Sequence, residues 1–300
     1  LIIVSGKFYI HINQERNSMF GPNTITKNSS KIEFCHRDKE YFKLHKSIKD
    51  FFSKTFNLSD YELVFIPGSG TVGIEALMFS LKKNINIIGV EGKFTNRWKK
   101  MANIYNHEEC NDFENFFCQL ETSQSLTFCN ENCIVDAVSS FPYYEIPKNT
   151  KAFITSSNKI IGSIAGVSIV CIKNDFISDL KSYDEMSYLN LARYLKYSEK
   201  NQTPSTAPIQ ILDHLNNTLK NFNKNKLIDK INTNSKKLVN FFGEENIIGE
   251  YPCPVITISK SLIPITIAEK FQLYHFNDES DNYQIFTYSE FDNIYDIFLK

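Results

Sequence analysis

The chain has 300 residues, 33 Lys and Arg against 34 Asp and Glu, and 42% hydrophobic residues. A near-zero net charge excludes a general attractive field for nucleic acid or an anionic membrane surface, so any anion has to be recognised by a local site. The length suits a larger domain with a smaller companion, and the longest apolar run, 160–172, is broken by Gly and Ser and falls short of the ~20 residues of a membrane helix.

Seven cysteines, at 35, 110, 118, 129, 133, 171 and 253, show no paired spacing. The odd count in a chain of this size predicts a reducing, cytoplasmic setting without a disulfide framework. Cys35, His36, Cys129 and Cys133 do not have the spacing of a zinc site, so no metal centre is expected.

The chain opens Leu1-Ile2-Ile3-Val4, without a starting Met, a basic region or a small-residue cleavage site. Residues 1–15 are therefore expected to belong in part to an upstream region. The first strong element is the apolar run Tyr61 to Ile66, a strand that breaks at Pro67-Gly68-Ser69-Gly70-Thr71. Apolar residues then recur at Ile74, Leu77, Met78 and Leu81, the spacing of a helix with one buried face. Strand, Gly-Ser-Gly-Thr and helix start make either a tight connection or an anion site built from free N–H groups, the helix dipole and two hydroxyls.

A second apolar run, Ile85 to Val90, leads to Gly92-Lys93-Phe94. Phe94 at a strand end is either a core residue or a ring that lies flat on a planar cofactor. Polar Glu121-Thr122-Ser123 follows, and then Ile134-Val135-Asp136-Ala137-Val138, a strand that carries a carboxylate to its end. A further strand reaches Ser156-Ser157-Asn158-Lys159-Ile160, ahead of the small-residue run 162–167. A carboxylate and a lysine delivered by successive strands are what a pyridoxal phosphate enzyme uses: the lysine forms the Schiff base and the carboxylate keeps the pyridine nitrogen protonated.

Thr203-Pro204-Ser205-Thr206 reads as the cap of a helix begun near Ala207, or as a hydroxyl presented to a phosphate. Polarity rises and apolar periodicity restarts after a junction at 221–226, which sets a domain boundary near Asn223, and Val255 to Ser259 is a strand of the second unit.

Taken in order, these strings resemble the class V aminotransferases of pyridoxal phosphate fold type I, and are most similar to the 2-aminoethylphosphonate–pyruvate transaminase family. Phe20-Gly21-Pro22, His36-Arg37-Asp38, the GSGT turn with Glu75, Val135 to Phe141, Ala165-Gly166-Val167 and Tyr188 to Leu191 add to the likeness, which spans 16–215. The resemblance implies an α/β fold of the aspartate-aminotransferase kind, with a large mixed-sheet domain (16–222) and a small, abbreviated α+β C-terminal domain (223–300). It implies pyridoxal 5′-phosphate as cofactor, Lys159 and Asp136 as catalytic residues, Ser69, Gly70 and Thr71 around the phosphate, and Phe94 on the ring. It further implies that Asn158 and Thr122 or Ser123 bond the phosphate or ring hydroxyl, and that Thr203 reaches the phosphate of the neighbouring subunit in a homodimer.

The activity implied is transfer of the amino group of 2-aminoethylphosphonate to pyruvate; the alternatives are alanine– or serine–glyoxylate exchange, or a non-catalytic member. Departures from the family pattern are Thr95 for Gly, Gln124-Ser125 for Thr-Gly, and shortened stretches at 98–120 and 125–133, which predict a trimmed strand or helix. Where the family has an arginine for the substrate carboxylate, this chain has Tyr283-Gln284-Ile285-Phe286.

Overall fold

The computed structural model describes residues 36–106, 110–122, 126–127, 132–182, 184–270, 273–275 and 279–289, and the backbone of a short antiparallel pair, β1 (Ile2–Val4) with β2 (Lys7–Tyr9). The Phe20-Gly21-Pro22 string and Ser123 lie outside the described residues.

The centre of the molecule is a six-stranded sheet. Its strands are β3 (Tyr61–Pro67), β4 (Asn84–Ile87), β5 (Phe113–Cys118), β6 (Cys133–Asp136), β7 (Thr150–Ser156) and β8 (Val167–Lys173), in spatial order β3-β8-β7-β6-β5-β4. β4 to β7 run parallel, and β8 lies antiparallel between β7 and β3. Five strands therefore point the same way and present their carboxyl ends along one edge, where ligands of open α/β sheets bind.

Strands buried on both faces need apolar side chains at every position. Val64, Ile66, Ile134, Ile154, Val170 and Ile172 face α2 (Gly70–Ser80), α3 (Lys93–Tyr105) and α4 (Leu191–Ser198). Their sequence neighbours Leu63, Phe65, Val135, Phe153, Ile169 and Cys171 face α1 (Lys39–Phe56) and α5 (Ile209–Lys220). α1 turns one stripe inward, Tyr41, Leu44, His45, Ile48 and Phe52, and stops at Asn57 in the left-handed conformation, φ 56°. α2 instead lies close to the sheet on small residues: a Cβ on Gly73 would stand 2.0 Å from Ser168 Oγ.

α3 hands over to β5 with no further strand or helix between them among the described residues. Beyond α6 (Lys224–Phe242), β9 (Ile247–Ile248), β10 (Val255–Ser259) and β11 (Asn282–Phe286) form a separate antiparallel sheet in the order β11-β10-β9, with α7 (Ile265–Lys270) alongside. Leu238 of α6, Ala268 of α7 and Ile256, Ile258, Tyr283 and Ile285 of this sheet share one core with Leu120 and Leu126. No helix among the described residues is long and apolar enough to cross a membrane.

Three sequence expectations are corrected. Thr203-Pro204 does not cap a helix: α5 starts at Ile209, with Pro208 at its N-cap, because 203–208 stay irregular and the Thr203 carbonyl is taken by Arg37 Nη1 at 3.0 Å. Phe94 is not at a strand end, since β4 stops at Ile87 and Phe94 sits in the first turn of α3. Cys133 is disulfide-bonded, whereas Cys110, Cys118, Cys171 and Cys253 are free thiols.

Candidate active site

The candidate residues gather at the carboxyl edge because each follows a strand of the same direction. Gly68 to Thr71 follow β3, Glu121 and Thr122 follow β5, Asp136 ends β6, and Asn158 and Lys159 follow β7. In parallel register Cys118, Asp136 and Ile154 are neighbours across β5, β6 and β7, so the strand that ends in Asp136 lies directly beside the one that leads to Lys159.

Asp136 is 4% exposed. Its Oδ1 accepts the Val138 N–H at 3.0 Å and its Oδ2 accepts the Trp98 indole N–H at 2.9 Å. Burial raises its pKa to about 6, against the lowering effect of those donors and of the Cys118 thiol. Val138, Trp98 and Cys118 are neutral partners, so no hydrogen-bonded cation balances this buried acid among the described residues, and Lys159 acts on it only through its charge.

Lys159 sits half-buried in the turn after β7, with its Nζ 5.6 Å from the centre of the Phe286 ring of β11. Burial lowers its pKa, and the negative charge of Asp136 opposes that shift. The turn is held by its own polar groups: Ser157 Oγ donates to the Ile164 carbonyl at 2.7 Å, the Gly162 N–H to the Lys159 carbonyl at 2.9 Å, and Ser163 Oγ pairs with His214 Nδ1 at 2.9 Å. Asn158 is half-buried beside it.

The GSGT turn is tied to both loops. The Gly68 N–H donates to the Gly166 carbonyl at 2.8 Å, and Gly68 has φ +135°, a conformation that side chains other than glycine rarely adopt. A Cβ on Gly70 would stand 2.5 Å from Val138 Cγ2, so the turn packs directly on the Asp136 loop. Ser69 is the N-cap of α2, which has no acidic residue in its first turn, and Thr71 is half-buried next to it. An anion at this helix start meets free N–H groups and the positive end of the dipole.

Phe94 is half-buried and stacks on Trp98 at 6.4 Å between ring centres, with the Arg97 guanidinium 5.4 Å above its ring. What orients it is Glu121, 1% exposed, whose Oε2 accepts the N–H groups of Phe94 at 3.0 Å and Thr95 at 2.9 Å and the Thr95 hydroxyl at 3.2 Å. Glu121 thus caps α3 from another strand end, and Gly92 makes room, since a Cβ there would stand 2.2 Å from Glu121 Cγ.

Thr122 is gripped from the C-terminal sheet. Gln284 Nε2 donates to its Oγ1 at 3.0 Å, and Thr257 Oγ1 donates to its carbonyl. Gln284 therefore faces Thr122, in a cleft of about 590 Å³ that Lys93, His275, Glu279 and Asp281 also line. Thr203 stands apart, buried against Arg37, which also lies over the Tyr197 ring.

Sequence reading missed Trp98, Glu121 as a cap, and Thr257. A signal existed for Trp98, the chain's one tryptophan, four residues after Phe94 and so on the same helix face. None existed for the others, whose partners are set by the sheet order.

No protein-family model matches this chain, and a comparison with curated proteins finds no match. Solved structures do. The chain is similar to an aspartate aminotransferase of subgroup IV from Thermus thermophilus, with a TM-score of 0.76 at 15% identity over 94% of this chain and 95% of that one. It is similar to the phosphoserine aminotransferase SerC from Cytophaga hutchinsonii at a TM-score of 0.73, 16% identity and 89% of both chains. An alanine–glyoxylate aminotransferase from Nostoc sp. matches at 0.72 and 17% identity, over 95% and 93%. The fold is that of the type I aminotransferases.

Proposed function

We propose that this chain is a pyridoxal phosphate-dependent aminotransferase of the class V kind. The observation that carries the reading is the pairing of a buried Asp136, hydrogen-bonded to neutral donors, with Lys159 in the turn after the next strand of the same carboxyl edge. The residues fit the group: a pyridinium N–H would offset the buried charge of Asp136, Lys159 offers a primary amine for an aldehyde, and the α2 start suits a phosphate. When bound, the cofactor supplies an electron sink for the carbon that loses its proton.

In this reading Lys159 holds the cofactor covalently, and a pKa lowered by burial keeps more of its amine neutral and nucleophilic. Lys159 would also serve as the general base that takes the proton from the substrate carbon. Asp136, fixed by Val138 and Trp98, would pair with the ring nitrogen and keep it protonated. Ser69, Gly70, Thr71 and Asn158 hold the phosphate, Phe94 covers the ring, and Thr122 bonds the ring hydroxyl. Thr203 is proposed to complete the partner subunit's site in a homodimer. The finer proposal, transfer from 2-aminoethylphosphonate to pyruvate, rests on the sequence strings.

Borohydride reduction with pyridoxal phosphate followed by peptide mapping tests the reading, and the label is expected on Lys159. Absorbance changes on adding 2-aminoethylphosphonate, alanine, serine or phosphoserine then identify the donor. A label on another lysine, or none, overturns the assignment; a response to the amino acids but not to the phosphonate overturns only the donor.

A further inference from the structure

Thr257 and Gln284 are directly opposite one another in the β10–β11 register, on one face of the C-terminal sheet. Both reach Thr122, one through its carbonyl and the other through its hydroxyl, and all three side chains are buried at 0%, 7% and 7% exposure for Thr257, Gln284 and Thr122. Two residues further along β11, Phe286 lies under the Lys159 amine. One strand of the second sheet thus touches two candidate residues of the first.

A threonine hydroxyl has one proton and two lone pairs. With the Gln284 amide N–H filling a lone pair of Thr122 Oγ1, the Thr122 proton is left for another acceptor. We infer that Gln284 is a positioning residue that turns the Thr122 hydroxyl into a donor aimed at the ring oxygen of the cofactor, in place of receiving a substrate carboxylate. The inference rests on the functional reading above. It gives the C-terminal sheet a role in tuning the cofactor, because a donor whose own oxygen is hydrogen-bonded is polarised and held in one direction. Charged groups near the pair are Lys93, His275, Glu279 and Asp281 in the cleft, with Lys159 above Phe286 and Asp136 at the end of β6.

The test is a pH titration of the absorbance of protein loaded with pyridoxal phosphate. It compares wild type with Gln284→Met, Gln284→Glu and Thr122→Val, singly and combined. A donor on the ring oxygen favours its ionised form, so losing it raises the pKa of the lysine-bound cofactor by about one unit, the scale of one hydrogen bond to a charged group. Gln284→Met is expected to raise it. Gln284→Glu, nearly the same shape, is expected to raise it further, because a carboxylate only accepts and draws the Thr122 proton away. Thr122→Val alone should raise it at least as far as Gln284→Met, and Gln284→Met should add nothing to it. A Gln284 that merely packs would lower the melting temperature and leave the titration where it was, which overturns the inference. A Gln284→Met effect that survives in Thr122→Val overturns it as well. Failure of the wild type itself to form a coloured adduct on Lys159 is a different result, and sinks the functional reading together with what rests on it.

Discussion

Asp136 and His45 make opposite contributions to the pH dependence of stability, and this offers the sharpest check on the electrostatics of the site. Burial lifts the Asp136 pKa from 3.8 to about 6, so between those values the folded chain holds a proton that the unfolded chain has released. Stability therefore falls as pH rises through that window, by about 3 kcal/mol in all at ~1.4 kcal/mol per unit. His45, 2% exposed and edge-on to Phe65 at 4.9 Å, is shifted the other way: burial and then Lys49 lower its pKa from 6.5 to about 3. Between those values the unfolded chain binds the extra proton, and stability rises with pH at the same limiting slope.

Across pH 4 to 6 the two terms nearly cancel in the wild-type, cofactor-free protein. Asp136→Asn should uncover a rising slope, and His45→Gln a falling one. Denaturation midpoints of both variants against wild type at several pH values measure this. Because Asn leaves one of the Val138 and Trp98 donors without an acceptor, its absolute stability carries an offset of ~1–3 kcal/mol, and the slope is the quantity to compare. Loading pyridoxal phosphate should make the wild-type slope resemble that of Asp136→Asn, since a pyridinium offsets the buried charge. A variant slope parallel to wild type from pH 4 to 6 would refute the reasoning.

Glu121→Ala should lower stability by about 2–4 kcal/mol, since it strands two α3 N–H groups and the Thr95 hydroxyl, and chemical denaturation should show less loss for Glu121→Gln. Gly70→Ala should cost ~1–3 kcal/mol by overpacking on Val138, and Val138→Ala in the same chain should restore part of it in the same measurement; an additive double variant would count against the contact. Trp98 is the chain's one tryptophan and lies 2.9 Å from Asp136 through its indole N–H, so its fluorescence should fall on titration with pyridoxal phosphate; unchanged emission at saturation would put the ring elsewhere.

Local pattern carries much of the fold. The apolar runs 63–66 of β3 and 133–135 of β6, the apolar spacing of α2 and the glycine turn before it are properties of adjacent residues, so they are legible without knowing the neighbours. The order strand, Asp136, strand, Lys159 is legible for the same reason, because strands of one direction bring their ends to one edge wherever they sit in the sheet. Neither the start of α5 nor the position of Phe94 was legible, since Pro204 and the apolar 85–90 offer local options that the rest of the chain overrides.

The supporting contacts belong to tertiary structure alone. Trp98 and Asp136 are 38 positions apart, Thr95 and Glu121 26, and Thr122 and Gln284 162. Such bonds form only once β5 lies beside β6 and the C-terminal sheet packs on the loop after β5. A buried polar group must find a partner wherever packing leaves it. Residue types and their spacing therefore place the acid at the end of one strand and the amine just beyond the next, and the order of strands and the docking of the second sheet decide which groups hold them.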